Sequence, residues 1–130
     1  MSETATISTP AVRPSGRTLI DPALGQRISR EIARITADMG PAMPGLQQVV
    51  RALGCTDATV DVDADHRQMF ADDGQVVGLL YVNLELAYID GAGRPCTSGE
   101  AVDGRFEGKL DARGAFTLTC LHIHFDALLD

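Results

Sequence analysis

Gln75-Val76-Val77-Gly78-Leu79-Leu80-Tyr81-Val82-Asn83-Leu84-Glu85-Leu86-Ala87-Tyr88-Ile89-Asp90 is the stretch on which the fold turns. Successive side chains of a β-strand point to opposite faces of its sheet. Read as a strand, the segment places Val76, Leu80, Val82, Leu84 and Leu86 on one face. Val77, Leu79, Tyr81, Asn83, Glu85, Ala87 and Ile89 fall on the other. A strand that is apolar on both faces needs two covers. Asp72-Asp73-Gly74 turns the chain into it, and Asp90-Gly91-Ala92-Gly93 opens a longer loop after it.

Three more strands flank this one: Thr59 to about Phe70 before it, then Glu100 to Asp111, then Ala115 to Asp126. Asp111-Ala112-Arg113-Gly114 has the form of a type I turn with glycine at the left-handed position, as in a short hairpin. No helix-length segment separates the four strands, so parallel crossovers are excluded. In the third, Val102, Gly104, Phe106, Gly108 and Leu110 alternate with Asp103, Arg105, Glu107 and Lys109, one face inward and one wet.

Two helices precede the strands. Asp21 as N-cap and Pro22 at the first helical position announce the first. Its apolar stripe is Leu24, Ile28, Ile32, Ile35 and Met39, with Arg27, Arg30, Glu31, Arg34 and Asp38 largely on the remaining faces, and Gly40-Pro41 ends it. The second runs from Pro44 to Leu53 with Leu46, Val49, Val50 and Leu53 at helical spacing, and Gly54 stops it. The expected architecture is α+β: two N-terminal helices packed on a curved, four-stranded antiparallel sheet. Residues 1–17, rich in Ser, Thr and Pro, read as a disordered leader, and residues 18–130 as a single domain. The helices cover one face of the sheet. The other is expected to be covered by a second copy of the chain, over the second and fourth strands.

Composition bounds the partners. The chain has 130 residues, 45% of them hydrophobic, and a net charge of −7; its 11 basic residues are Lys109 and otherwise arginines. That balance repels phosphate backbones, so nucleic acid is not an expected partner. Arginine and alanine in place of lysine fit a GC-rich bacterial gene. The longest apolar run, Val76 to Val82, falls far short of the ~20 residues that span a bilayer, so no membrane association is expected. With neither a basic nor an apolar segment typical of a secretory signal at the N-terminus, and Cys55, Cys96 and Cys120 far apart and odd in number, the expected compartment is the cytoplasm.

The chemistry concentrates at the end of the chain. Cys120-Leu121-His122-Ile123-His124-Phe125-Asp126 alternates strictly, so a strand there would align Cys120, His122, His124 and Asp126 on one face. His-x-His also suits a metal, but no third ligand stands out beside Glu85, Asp126 or Cys120, so no metal and no cofactor is expected. Tyr81, Asn83 and Glu85 put a hydroxyl, an amide and a carboxylate on one face, either to orient a ligand's oxygens or to make polar contacts across a dimer. Asp61, Asp63 and Asp65 share a face as a charged rim that discourages edge pairing. Nothing resembles a P-loop or a nucleophile elbow.

Over residues 72–129 the chain resembles the nuclear transport factor 2 superfamily, in the manner of SnoaL-like polyketide cyclases and ketosteroid isomerases. The resemblance rests on Asp73-Gly74-Gln75-Val76-Val77 leading into a long strand, on Gly93-Arg94-Pro95-Cys96-Thr97-Ser98-Gly99-Glu100-Ala101-Val102, and on Phe125-Asp126 followed by Ala127-Leu128-Leu129. Ser98 is an extra residue relative to that pattern, the final hairpin is longer, and the strand pair that usually separates the helices is missing. The resemblance implies a cofactor-independent isomerase, cyclase or hydratase that moves a proton on a small apolar carbonyl metabolite. Asp126 would be the acid or base, His122 and His124 its partners, and Tyr81, Asn83 and Glu85 the substrate contacts. Desolvation of a carboxylate in an apolar cavity would raise its pKa to suit that task. The alternative is a non-catalytic module that binds a small molecule or assembles with a protein on the same fold.

Overall fold

The computed structural model describes residues 17–129; the leader expected over residues 1–17 lies outside them, apart from Arg17. The elements run β1 (Thr18–Leu19), α1 (Pro22–Met39), a 3-10 turn (Gly40–Ala42), α2 (Leu46–Leu53), β2 (Asp57–Asp72), β3 (Gln75–Ile89), β4 (Pro95–Leu110), β5 (Phe116–Ile123) and a closing 3-10 turn (Phe125–Leu129). The sheet is an antiparallel meander in the order β1-β2-β3-β4-β5. It therefore has five strands, not four. The fifth is the two-residue β1, which pairs with Ala71 and Phe70 at the end of β2 and is too short to show a pattern in the sequence.

Helix α1 begins where Asp21 accepts the amides of Ala23 and Leu24 through its side chain. Its buried line is Gly25, Ile28, Ile32 and Thr36, with Leu24, Ile35 and Met39 at its margins. Thr36 can occupy the centre because its hydroxyl donates to the Ile32 carbonyl at 2.8 Å. Helix α2 starts at Leu46, two residues later than expected. Pro44 and the left-handed Gly45 (φ 85°) shape the turn into it, and Gly54 (φ 71°) closes it by donating to the Arg51 and Val50 carbonyls.

The core lies between the helices and one sheet face. Val76, Leu80, Val82, Leu84 and Leu86 of β3 meet Ile28 and Ile32 of α1, Leu46 and Val49 of α2, and Phe106 of β4. Each such side chain removed from water contributes about 1.5–3 kcal/mol. Two irregularities adapt the strands to this packing. Between the pairs Ala64↔Leu80 and Met69↔Gly78, the β2 residues Asp65, His66, Arg67 and Gln68 stand against Leu79 alone. Helix α1 crosses β2 at this bulge. Ser29 donates its hydroxyl to the Ala64 carbonyl, and Gly25 permits the approach, since a Cβ there would come within 2.9 Å of the His66 carbonyl oxygen.

The second irregularity lies between Glu107↔Cys120 and Gly108↔Leu118, where Thr119 is an extra residue of β5. The extra residue resets the alternation. Phe116 and Leu118 consequently join Leu121 and Ile123 on the helix side, while Cys120 and His122 point outward. The last strand is therefore apolar on the helix side alone, which corrects the expectation that a second copy of the chain packs over it. The strand also ends earlier than expected: past Ile123 the chain turns so that Phe125 packs beneath α2 against Gly45, and Asp126 belongs to the 3-10 turn. Among the described residues no helix is long and apolar enough to cross a membrane.

Candidate functional site

The face of the sheet away from the helices carries most of the residues singled out above. Register places them in rows across the strands. Phe70, Val77, Glu107 and Cys120 form one row, and Leu79, Arg105 and His122 the next. Asp63, Tyr81 and Asp103 follow, with His124 beside Asp103, then Asp61, Asn83 and Ala101, and finally Thr59, Glu85 and Gly99. This face is open: Phe70, Leu79 and Tyr81 are 39%, 42% and 44% exposed, whereas Leu80, between the last two, is 0% exposed.

His124 is held at both ends. Its amide donates to the Asp103 carbonyl at 2.9 Å, and its Nδ1 lies 2.7 Å from Asp103 Oδ1. An ionised carboxylate only accepts, so this contact puts a proton on Nδ1. The His122 ring packs edge-on against the His124 ring, centroids 4.8 Å apart. Asp103 was not legible as the partner of His124 because the pairing depends on the β4–β5 register, which sequence spacing does not fix. Asp126, by contrast, is exposed on the closing 3-10 turn, beyond the end of β5, which carries His122 and stops one residue short of His124.

Several grooves open on the surface formed by the described residues, four of them near the residues of interest. One of about 520 Å3 is lined by Tyr81, Asn83, Asp103, Ala101 and Ala127, beside the free edge of β4 beyond the end of β5. A second, of about 530 Å3, lies on the same face along Phe70, Val77, Leu79, Arg105 and Glu107, with Arg17 and Gln68 at its rim. A third, of about 290 Å3, runs between the end of α1 and the start of β2. The fourth, of about 450 Å3, lies on the helix side between α1 and the start of β5. The structure thus brings Tyr81 and Asn83 together with Asp103. Glu85, His122, His124 and Asp126 line none of these grooves. Among the described residues no three His, Cys, Asp or Glu side chains are grouped so as to hold a metal ion.

Asp65 departs from the charged rim expected for it. Its neighbours Asp61 and Asp63 are exposed, but the β2 bulge turns the Asp65 side chain inward to 4% exposure. There it accepts from the Arg67 amide at 3.0 Å, from Arg67 Nε at 3.1 Å and from Gln68 Nε2 at 3.2 Å. The hydrogen bond from the Arg67 guanidinium, reinforced by the backbone amide, holds its carboxyl below the ordinary value of 3.8. This carboxylate fastens the bulge.

Comparison of the chain with protein-family models, with curated proteins and with solved structures returns no match. Chemistry and surface therefore carry the functional reading.

Proposed function

We propose that this protein is a non-catalytic assembly module that pairs with a second copy of itself through the open face of its sheet. The observation that supports it is the patch of exposed Phe70, Leu79 and Tyr81 with half-buried Val77 on a sheet whose other face is already filled by the helices. With three strands of 15–16 residues, the face measures roughly 50 Å by 14 Å at the usual rise and strand spacing. That is about 700 Å2, close to the ~800 Å2 per partner of a standard interface.

Charge favours a particular pairing. A two-fold axis crossing the strands between the levels of Leu79 and Tyr81 sets Leu79 near the partner's Tyr81 and Arg105 near the partner's Asp103. Such an interface closes on itself and leaves no open-ended surface. Because β5 presents only polar residues outward, the contact centres on β2, β3 and β4, not on the second and fourth strands of the sequence reading. The helix pair ahead of a long antiparallel meander supports the likeness to the nuclear transport factor 2 superfamily.

Light scattering at micromolar concentration should give about twice the chain mass of 13.8 kDa. Arg105→Asp should yield a monomer, and the double variant Arg105→Asp/Asp103→Arg should restore the dimer. A wild-type monomer under these conditions would overturn the reading.

One observation favours a second reading, proton transfer on a carbonyl metabolite. The hydrogen-bonded Asp103–His124 pair adjoins the groove of Tyr81 and Asn83, so the acid–base work would fall to Asp103 and not to Asp126. The two readings compete for the same surface. Deuterium uptake from D2O next to the carbonyl of small cyclic ketones, lost in Asp103→Asn and kept in Asp126→Asn, would favour the second.

A further inference from the structure

The fourth groove lies across the sheet from the proposed assembly face. Arg27, Arg30 and Arg34 recur along α1 at spacings of three and four residues, which places them on one side of a helix. All three line this groove, together with Glu31, above a floor that includes Ile28 and Phe116. We propose that the groove binds a small amphiphile: an anionic head, carboxylate or phosphate, on a short apolar body.

Charge argues for the head group. A chain of net charge −7 sets three guanidinium groups against a single carboxylate here. Glu31 is bound by Arg34, whose Nη2 lies 2.8 Å from Oε2, and Arg34 also reaches Asp38 at 3.4 Å. Arg27 spans the groove to donate to the Gly114 carbonyl at 2.8 Å, tying α1 to the β4–β5 turn. Arg30 lies between them with no hydrogen-bond or ion-pair partner among the described residues, so its guanidinium is available for an anion. Arginine suits either head group, because its planar fork matches both carboxylate and phosphate oxygens.

The floor argues for the apolar body, and the fold holds it in place. The Phe116 ring meets Phe106 edge-on at 6.1 Å, and it sits over Gly108, where any Cβ would collide with it. Phe116 stays half-buried beside the fully buried Ile28. The Arg27 strap and the Arg34–Glu31 pair both stand at this groove. A volume of about 450 Å3 falls within the ~300–1,000 Å3 of small-ligand sites, which favours a short single-chain or single-ring ligand over a polymer. Thr119 matters here as well, since the bulge keeps Phe116 on the helix side.

The test is an NMR titration of the full chain with decanoate, decyl phosphate and decyltrimethylammonium, each below its micelle concentration. Saturable shifts centred on Ile28, Arg30, Ala115 and Phe116 are expected with decanoate, decyl phosphate or both, and whichever binds identifies the head group. The cationic amphiphile should leave these amides unchanged. Arg30→Glu, a change at an exposed position that the fold tolerates, should weaken binding at least tenfold, while Arg94→Glu on the β3–β4 loop should not. The proposal is overturned by the absence of saturable shifts with both anions, by an equal response to the cation, or by an Arg30→Glu variant that binds as wild type. Light scattering on the same samples reads the sheet-face dimer separately, so either proposal can fail alone.

Discussion

The two faces of β3 are built from similar residues and have opposite fates. Leu80 and Leu79 are neighbours in the chain; the first is fully buried and the second is 42% exposed. Their local propensities are the same. What differs is that α1 and α2 dock on one side of the sheet, leaving the other to water or to a partner. Apolar alternation therefore locates a strand, while its coverage separates residues that hold the fold from residues free to make contacts.

That contrast is open to direct attack, and the largest effect belongs to the covered face. Leu80→Ala should destabilise the protein by about 2–5 kcal/mol, through lost transfer energy and the cavity left behind. Leu79→Ala should stay within about 0.5 kcal/mol when the monomer is unfolded by urea. If Leu79→Ala also leaves the dilution profile of the dimer unchanged, the open face is not the contact surface.

Deleting Thr119 should cost about 3 kcal/mol. Without the extra residue, either Phe116 and Leu118 or Leu121 and Ile123 must turn outward, because a one-residue slip exchanges the faces of a strand. Urea melts followed by dye binding to exposed apolar surface would measure it. An unaltered midpoint would show that β5 realigns by another route.

Asp65→Asn should cost about 1–3 kcal/mol near neutral pH, since a buried carboxylate that accepts from Arg67 and Gln68 is replaced by an amide that cannot satisfy the same donors. The sign of its pH dependence follows from its lowered pKa. The unfolded chain takes up the proton first, near the ordinary value of 3.8. The stabilisation is therefore complete above that pH, falls as the pH drops below it, and is gone below the folded-state value. Wild type and Asp65→Asn should accordingly converge in acid, as thermal melts between pH 7 and pH 2 would show. The smallest effect is expected at Asp126, exposed on the closing turn, where Asn should change the unfolding midpoint by less than about 0.5 kcal/mol.

The local grammar of the chain was legible. Asp21-Pro22 started α1, Gly54 ended α2, and the turns at Asp73-Gly74 and Arg113-Gly114 separated the strands. The alternation of β3 assigned its two faces correctly, from Val76 through Leu86. The candidate site was less legible. Cys120 and His122 were rightly placed on one face, but Asp126 was carried along by an alternation that the chain abandons after Ile123. The arginines of α1 were visible at their helical spacing and were placed only on the faces that the apolar stripe leaves, because nothing in the spacing says that Phe116 lies opposite.

By itself the sequence determined the two helices and the four long strands, the antiparallel order of those strands, and which side of each but the last is apolar. Those properties follow from periodicities of two and about 3.6 residues, which depend only on near neighbours. The tertiary structure alone decided that Asp65 turns inward, that Thr119 is surplus and that Phe125 leaves the sheet to pack beneath α2. It also decided which apolar face is covered and where the arginine-lined groove opens. A bulge has no period, and a covered face depends on residues distant in the chain. Both are settled only when the helices dock and the sheet yields locally to fit them.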